Sequence, residues 1–154
     1  DIMAISNATM TVTVTESVSL NGTNRGNSIT RSISNIHDVM ERIITVPTAS
    51  EITLYTTHNT DVAGQVFDNG FVKYARFTNK DANNYIILRI TNGESDEFAY
   101  KLLAGETFIL NSHSGSTEMA AGAAGAPDQD ILSVEAQANT GACDLEYIVA
   151  SVNS

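Results

Sequence analysis

The chain has 154 residues, 42% of them hydrophobic, which suits one domain with a sizeable core and is too short for two ordinary ones. Its 8 Lys and Arg against 18 Asp and Glu give a formal charge of -10, a field that repels phosphate backbones, so nucleic acid is not expected as a partner. No apolar run approaches the roughly 20 residues needed to cross a bilayer, and no basic stretch followed by an apolar one opens the chain, so a soluble protein without a signal peptide or a membrane partner is expected. Asp1 and Ile2 precede Met3 and are expected to be a remnant of processing or cloning, with a single domain over 3–154.

Thr9 to Leu20 alternates strictly, Met10, Val12, Val14, Val18 and Leu20 on one side and Thr and Ser on the other, the period of a half-buried strand. A break is expected near Glu16, and Asn21 to Asn27, rich in Asn and Gly, reads as a turn. Ile29 to Val46 fits a helical stripe about as well as a strand, but its β-branched residues favour two strands, 29–36 and 42–46, joined by a bulge or a short helical turn. Pro47 ends the second, and Glu51 to His58 reads as the next strand, with Ile52 and Leu54 inward. Thr60 to Gly70 is expected to be a connection with a short strand at 65–67.

Phe71 to Leu110 then reads as a β-meander. Phe71, Ala75 and Phe77, then Ile86, Leu88 and Ile90, then Phe98, Tyr100 and Leu102 supply the core face, and Phe108 and Leu110 follow from a strand at 107–111. If consecutive strands pair, the opposite face collects Tyr74, Arg76, Ile87, Arg89, Glu97 and Lys101. Two readings of that face stand: a solvated sheet with cross-strand pairs such as Arg89 with Glu97, or an intersubunit contact, since Tyr and Arg are enriched in interface hot spots. Ser112 to Asp130 is a long Gly/Ala-rich loop with Met119 and Pro127 as its distinctive residues, and 131–138 with 143–152 are expected to close the domain as a hairpin around Asn139-Thr140-Gly141. Eight to ten short strands without an amphipathic helix imply an all-β fold, a single-domain antiparallel β-sandwich of jelly-roll or Ig-like type, with an antiparallel barrel as the second option.

Candidate chemistry is sparse. His37, His58 and His113 lack the i, i+2 or i, i+4 spacing that places two imidazoles toward one metal, and the acidic turns 79–84 and 92–97 do not match a calcium loop. Glu135 and Glu146 lie on the last two strands, where paired strands would bring them face to face as hydrolytic carboxylates are; two solvated glutamates are the plainer reading. Cys143, the only cysteine, reads as a buried structural thiol. No catalytic residue, metal site or cofactor is expected.

The run Val72-Lys73-Tyr74-Ala75-Arg76-Phe77-Thr78-Asn79, followed by Ile86-Ile87-Leu88-Arg89-Ile90, Asp96-Glu97-Phe98-Ala99-Tyr100-Lys101-Leu102 and Ala104-Gly105-Glu106-Thr107-Phe108, resembles small structural proteins of tailed bacteriophages, especially cyanophage-like ones. That resemblance, running from about Ala8 to Val152, implies a non-enzymatic virion protein, first of all a capsid decoration or cement protein. A tail, neck or fibre-associated protein is the alternative within the class, and a carbohydrate-binding β-sandwich the rival outside it. The partners it implies are other copies of the chain and the major capsid or tail protein. The interface residues expected from the residues and the resemblance together are Tyr74, Arg76, Ile87, Arg89, Met119 and Pro127.

Overall fold

A computed structural model describes residues 7–57, 67, 70–93, 95–110, 116–117 and 129–152. Among the described residues the alternating segments become twelve strands: β1 (Ala8–Thr15), β2 (Ser19–Leu20), β3 (Thr23–Asn24), β4 (Ser28–Val46), β5 (Ile52–Thr56), β6 (Val72–Asn79), β7 (Ile86–Asn92), β8 (Glu97–Leu102), β9 (Thr107–Leu110), β10 (Ser116–Thr117), β11 (Gln129–Ala138) and β12 (Cys143–Val152). One sheet has the order β1-β4-β12-β6-β9 and the other β10-β11-β7-β8, with β5 also paired to β11. Setting β1 and β10 aside, β4-β12-β6-β9 faces β5-β11-β7-β8. With every pair antiparallel, this is the strand order of a jelly roll.

Both sheets send their alternate side chains into one core. Val46, Ala75, Phe77, Leu145, Tyr147 and Val149 from the first meet Leu54, Ile86, Leu88, Ile90, Leu102 and Val134 from the second, and each large apolar side chain so buried contributes about 1.5–3 kcal/mol. Phe77 is the hub: its ring stacks on Tyr147 in its own sheet at 6.2 Å and on Tyr55 across the sandwich at 6.5 Å. The Tyr147 hydroxyl donates to the Leu54 carbonyl at 3.0 Å, so the polar end of a buried ring also ties the two sheets. A bulge at Lys73 shifts the phase of β6, which places Val72 rather than Phe71 among the fully buried residues with Ala75 and Phe77.

The meander expected over 71–110 is not one sheet. Strands β7 and β8 do form a hairpin, but β6 and β9 pair with each other in the opposite sheet. The expected closing hairpin is likewise overturned: β11 pairs with β7 and β5, β12 with β4 and β6. In each case the connection is an arch that crosses between sheets. The arches 47–51, 80–85, 103–106 and 139–142 all lie at the same end of the sandwich, because the strands they join are antiparallel within their sheets.

Asparagines hold that end together. The Asn79 side chain, fully buried, donates to the carbonyls of Asn84, Leu102 and Leu103 and accepts from the Asp81 amide, so one residue serves two arches. Asn139 accepts from the Tyr85 amide through its side chain and donates its own amide to the Tyr85 carbonyl. Thr140 donates to Asn84 Oδ1 at 2.8 Å, and a Cβ on Gly141 would sit 2.7 Å from Asn84 Nδ2, so any side chain there would displace the Asn84 amide from this contact.

Strand β4 is one continuous element where two were expected. Its second half pairs with β12 inside the sandwich, and its first half leaves the sandwich to pair with β1. The change of direction is a bulge at Asn35, which takes φ 61°, a left-handed value that Asn tolerates better than most residues. β1, β2, β3 and residues 28–35 thus form an arm. Met10, Val12, Ile33 and Ile36 at its base fold onto Tyr74, Ile148, Ala150 and Val152 on the back of the first sheet, making a second, smaller core.

Candidate functional site

Strand register assembles a charged cluster on the outer face of the second sheet. Arg89 on β7 lies opposite Glu135 on β11 and Ala99 on β8, with Glu97 two pairs along and so on the same face. Its guanidinium donates from Nε to Glu51 at 2.8 Å, from Nη1 to Glu97 at 2.7 Å and from Nη2 to Glu135. The cross-strand partnership of Arg89 with Glu97 is as the alternation predicts; Glu51 and Glu135 join it because β5 and β11 pair on the far side of β7. All four side chains keep water contact, so each pair contributes no more than about 0.2–1 kcal/mol.

The glutamates are not equivalent. Glu135 is held above the usual carboxylate range, first by the hydrogen bond it shares with Glu51 and then by partial burial. Glu51 is held below it by the same hydrogen bond and by Arg89. Two carboxylates this close disfavour each other's charged form, and the shared Arg89 guanidinium offsets that repulsion. Beside it is a hollow of ≈ 400 Å³ lined by Glu51, Tyr85, Ile87, Arg89, Gln137 and Asn139. The Lys101 ammonium stands 4.1 Å over the Tyr85 ring, so a cation already covers the partly exposed aromatic face at that hollow.

The outer face of the first sheet is built differently. Arg76 on β6 donates to Glu146 on β12 at 2.8 Å and to Thr78 at 2.6 Å, and Arg76 holds the Glu146 carboxyl below its usual range. Tyr74 on the same face is buried under the arm, with burial raising its phenol. Tyr74 and Arg76 therefore lie on one side of the sandwich and Ile87 and Arg89 on the other, which corrects the expected single face; alternation reveals which side of a strand is polar but not which sheet the strand joins. The same correction applies to Glu135 and Glu146, which occupy opposite outer faces. Met119 and Pro127 lie outside the described residues, as do His58 and His113. His37 is exposed on β4, and no group of three metal-binding side chains occurs among the described residues.

Cys143 is a buried free thiol, pushed up by burial first and by Asp81 and Asp144 next, which disfavours a thiolate. Tyr55 is buried in the core, where it offers no ring face to a carbohydrate, and burial pushes its phenol far up.

Besides Val39 and Ile43, exposed on the outer side of β4 within the sandwich, two apolar surfaces complete the map. On the arm, Val14 and Ile29 are direct cross-strand partners, 41% and 63% exposed, and Val18 and Leu20 at the tip are also exposed. At the opposite edge of the sandwich β8 and β9 are the outermost strands of their sheets. Tyr100 stacks on Phe108 across that seam at 4.5 Å, while Phe98, Tyr100 and Leu103 remain exposed. Phe98 and Tyr100 were expected in the core; they do point to the core face, opposite Ile90 and Leu88, but at a rim that no further strand of the described residues covers. The signal for both surfaces is present in the alternation, which marks these residues as apolar without saying whether anything lies over them.

Compared with protein-family profiles, with curated sequences and with solved structures, the chain finds no match in any of the three.

Proposed function

We propose that this chain is a non-enzymatic structural protein of a tailed-phage virion, seated on the outside of the capsid as a decoration or cement protein. The observation that carries the reading is the arm: a two-stranded extension whose apolar side is only partly covered by its own sandwich and which therefore calls for a neighbour. The acidic balance of the chain suits a protein displayed at high local density. The sequence resemblance to small phage structural proteins points the same way. Jelly-roll sandwiches also serve in capsids and lectins alike, so the strand order supports the reading by analogy only. For a carbohydrate-binding module the supporting geometry is weaker, since Tyr55 and Tyr74 are buried and Lys101 occupies the Tyr85 ring.

Imaging of particles that contain the chain tests the placement. Density for it over the capsid faces is expected; density confined to the tail or neck would move it to the alternative position in the virion, and absence from the particle would overturn the reading. A glycan screen with binding that disappears on Tyr85→Ala would favour the lectin reading instead.

A further inference from the structure

The two apolar surfaces sit at opposite edges of the same molecule. In the first sheet the arm strand β1 is the outermost strand on one side and β9 the outermost on the other; β8 ends the second sheet on the β9 side. We infer that the arm of one copy docks in the β8/β9 seam of a second copy, head to tail. It rests on the structural-protein reading above and names the surfaces through which copies would meet.

Three features favour this occupant. First, the shapes are of one kind: a ribbon with an apolar side (Val14, Ile29) and an open edge lined by Phe98, Tyr100 and Leu103. An outermost strand presents unpaired backbone groups on its free side, and among the described residues both β1 and β8 are outermost. The other side of the arm is a Thr/Ser ladder, with Thr13 bonded to Thr30 at 3.1 Å and Thr15 to Ser28 at 3.0 Å, and is suited to water. The ribbon thus has one side to bury and one to leave out.

Second, the charges are complementary. Between Ala8 and His37 the chain carries Arg25 and Arg31 against Glu16 alone, so the arm is slightly basic although the whole chain is at -10. Arg25 is exposed beside the apolar tip. Asp96 and Glu97, exposed, and Glu106, half-buried, lie in or beside β8 and β9, with Lys101 on β8 and Arg89 bonded to Glu97 as the cations near them. An arm drawn toward an acidic body finds that body on every other copy. Opposite charges at the rim steer such an encounter and fix its orientation.

Third, the tip is held in shape before any partner arrives. β2 and β3 pair, Asn24 Oδ1 accepts from the amides of Val18 and Gly26, and the Glu16 amide donates to the Asn27 carbonyl at 2.8 Å. A Cβ on Gly26 would fall 1.9 Å from the Glu16 carbonyl oxygen, so this close turn requires glycine. A preformed ribbon loses less conformational freedom on docking than a flexible tail would. Because the contact joins unlike surfaces, it leaves a free arm and a free seam on any open assembly and must either close into a ring or continue as a chain.

Sedimentation of the full chain over a wide concentration range, with two separate variants, tests this in solution and independently of any particle. The wild type is expected to show masses that are multiples of 16.4 kDa. A Val14→Thr/Ile29→Thr variant and a Phe98→Thr/Leu103→Thr variant should each associate at least tenfold more weakly. Mixed, they should form one-to-one dimers, since the first retains a seam and the second an arm. Arg25→Glu, at an exposed position that leaves the fold intact, should weaken association in a manner that salt reduces. A wild type that stays monomeric throughout, variants that associate as the wild type does, or a mixture that stays monomeric would each overturn the inference; a monomer in solution would leave the virion placement to be decided by imaging.

Discussion

One strand, β4, belongs to two regions that obey the same local rule and reach opposite ends. From 36 to 46 it pairs with β12, and its inward residues Met40, Ile44 and Val46 join the main core while Val39 and Ile43 on its outer side stay exposed; from 28 to 35 its partner among the described residues is β1, and its apolar Ile29 is 63% exposed. In both halves strand geometry divides the apolar residues between two faces. The difference is that the sandwich supplies a second layer ≈ 10 Å away, whereas the arm has a second layer only at its base, where Tyr74 and Ala150 lie beneath it. Alternation creates a side to be buried, and only tertiary structure, or a partner, buries it.

Cutting the same kind of group from each region should separate them most widely. Phe77→Ala, at the ring that joins both sheets, is expected to cost about 3–5 kcal/mol in chemical denaturation, against less than about 0.5 kcal/mol for Ile29→Ala, which is largely exposed. A similar loss at both sites would mean the arm is as covered as the core. Next in size is Asn79→Ala. It removes a side chain that serves four backbone groups, and a loss of about 2–3 kcal/mol is expected because the orphaned carbonyls lie at buried or half-buried positions. Hydrogen exchange should then show the arch end of the sandwich opening before the arm base does.

Smaller effects come from the charged faces. Arg89→Leu leaves Glu51, Glu97 and Glu135 together without their cation, and should destabilise by about 1 kcal/mol at neutral pH. Thermal melts should show that loss shrinking as pH falls and the carboxyls protonate; a pH-independent loss would point to packing instead. Asp81 gives the smallest change. Its carboxyl accepts from the Asn84 and Asn83 amides, and these bonds hold it below its ordinary value. A depressed folded-state value means that the stabilisation is complete above the ordinary aspartate range and is lost as pH falls through the lowered one. Asp81→Asn should therefore be less stable than wild type at pH 7, with the gap closing as pH falls below the ordinary aspartate range; a gap that persists would assign the effect to geometry.

The strand content was largely legible: 143–152 is found with its expected boundaries, and 72–79, 86–92 and 107–110 within a residue or two. The partners of those strands were not. A polar connection such as Lys80 to Tyr85 has the composition of a hairpin turn, yet here it is an arch, and what distinguishes the two is Asn79, which looks like a turn residue and is instead a buried hydrogen-bonding centre. The same gap explains the charged site. Glu97 was visible as a partner of Arg89 because β7 and β8 are consecutive, while Glu51 and Glu135 reach it through pairings distant in sequence. The arm escaped for a related reason: a single left-handed residue, Asn35, turns one continuous strand out of the sandwich.

The most direct test of the division between a covered sandwich and an arm awaiting a neighbour is amide hydrogen exchange on the intact chain at low and high concentration. At low concentration the amides of β6, β7 and β12 should exchange only through global unfolding, and those of β1 and residues 28–34 much faster. At high concentration β1 and β8 should slow together. Protection of β1 that already equals that of β12 in the dilute chain, or an arm and seam that stay unchanged as concentration rises, would contradict the account.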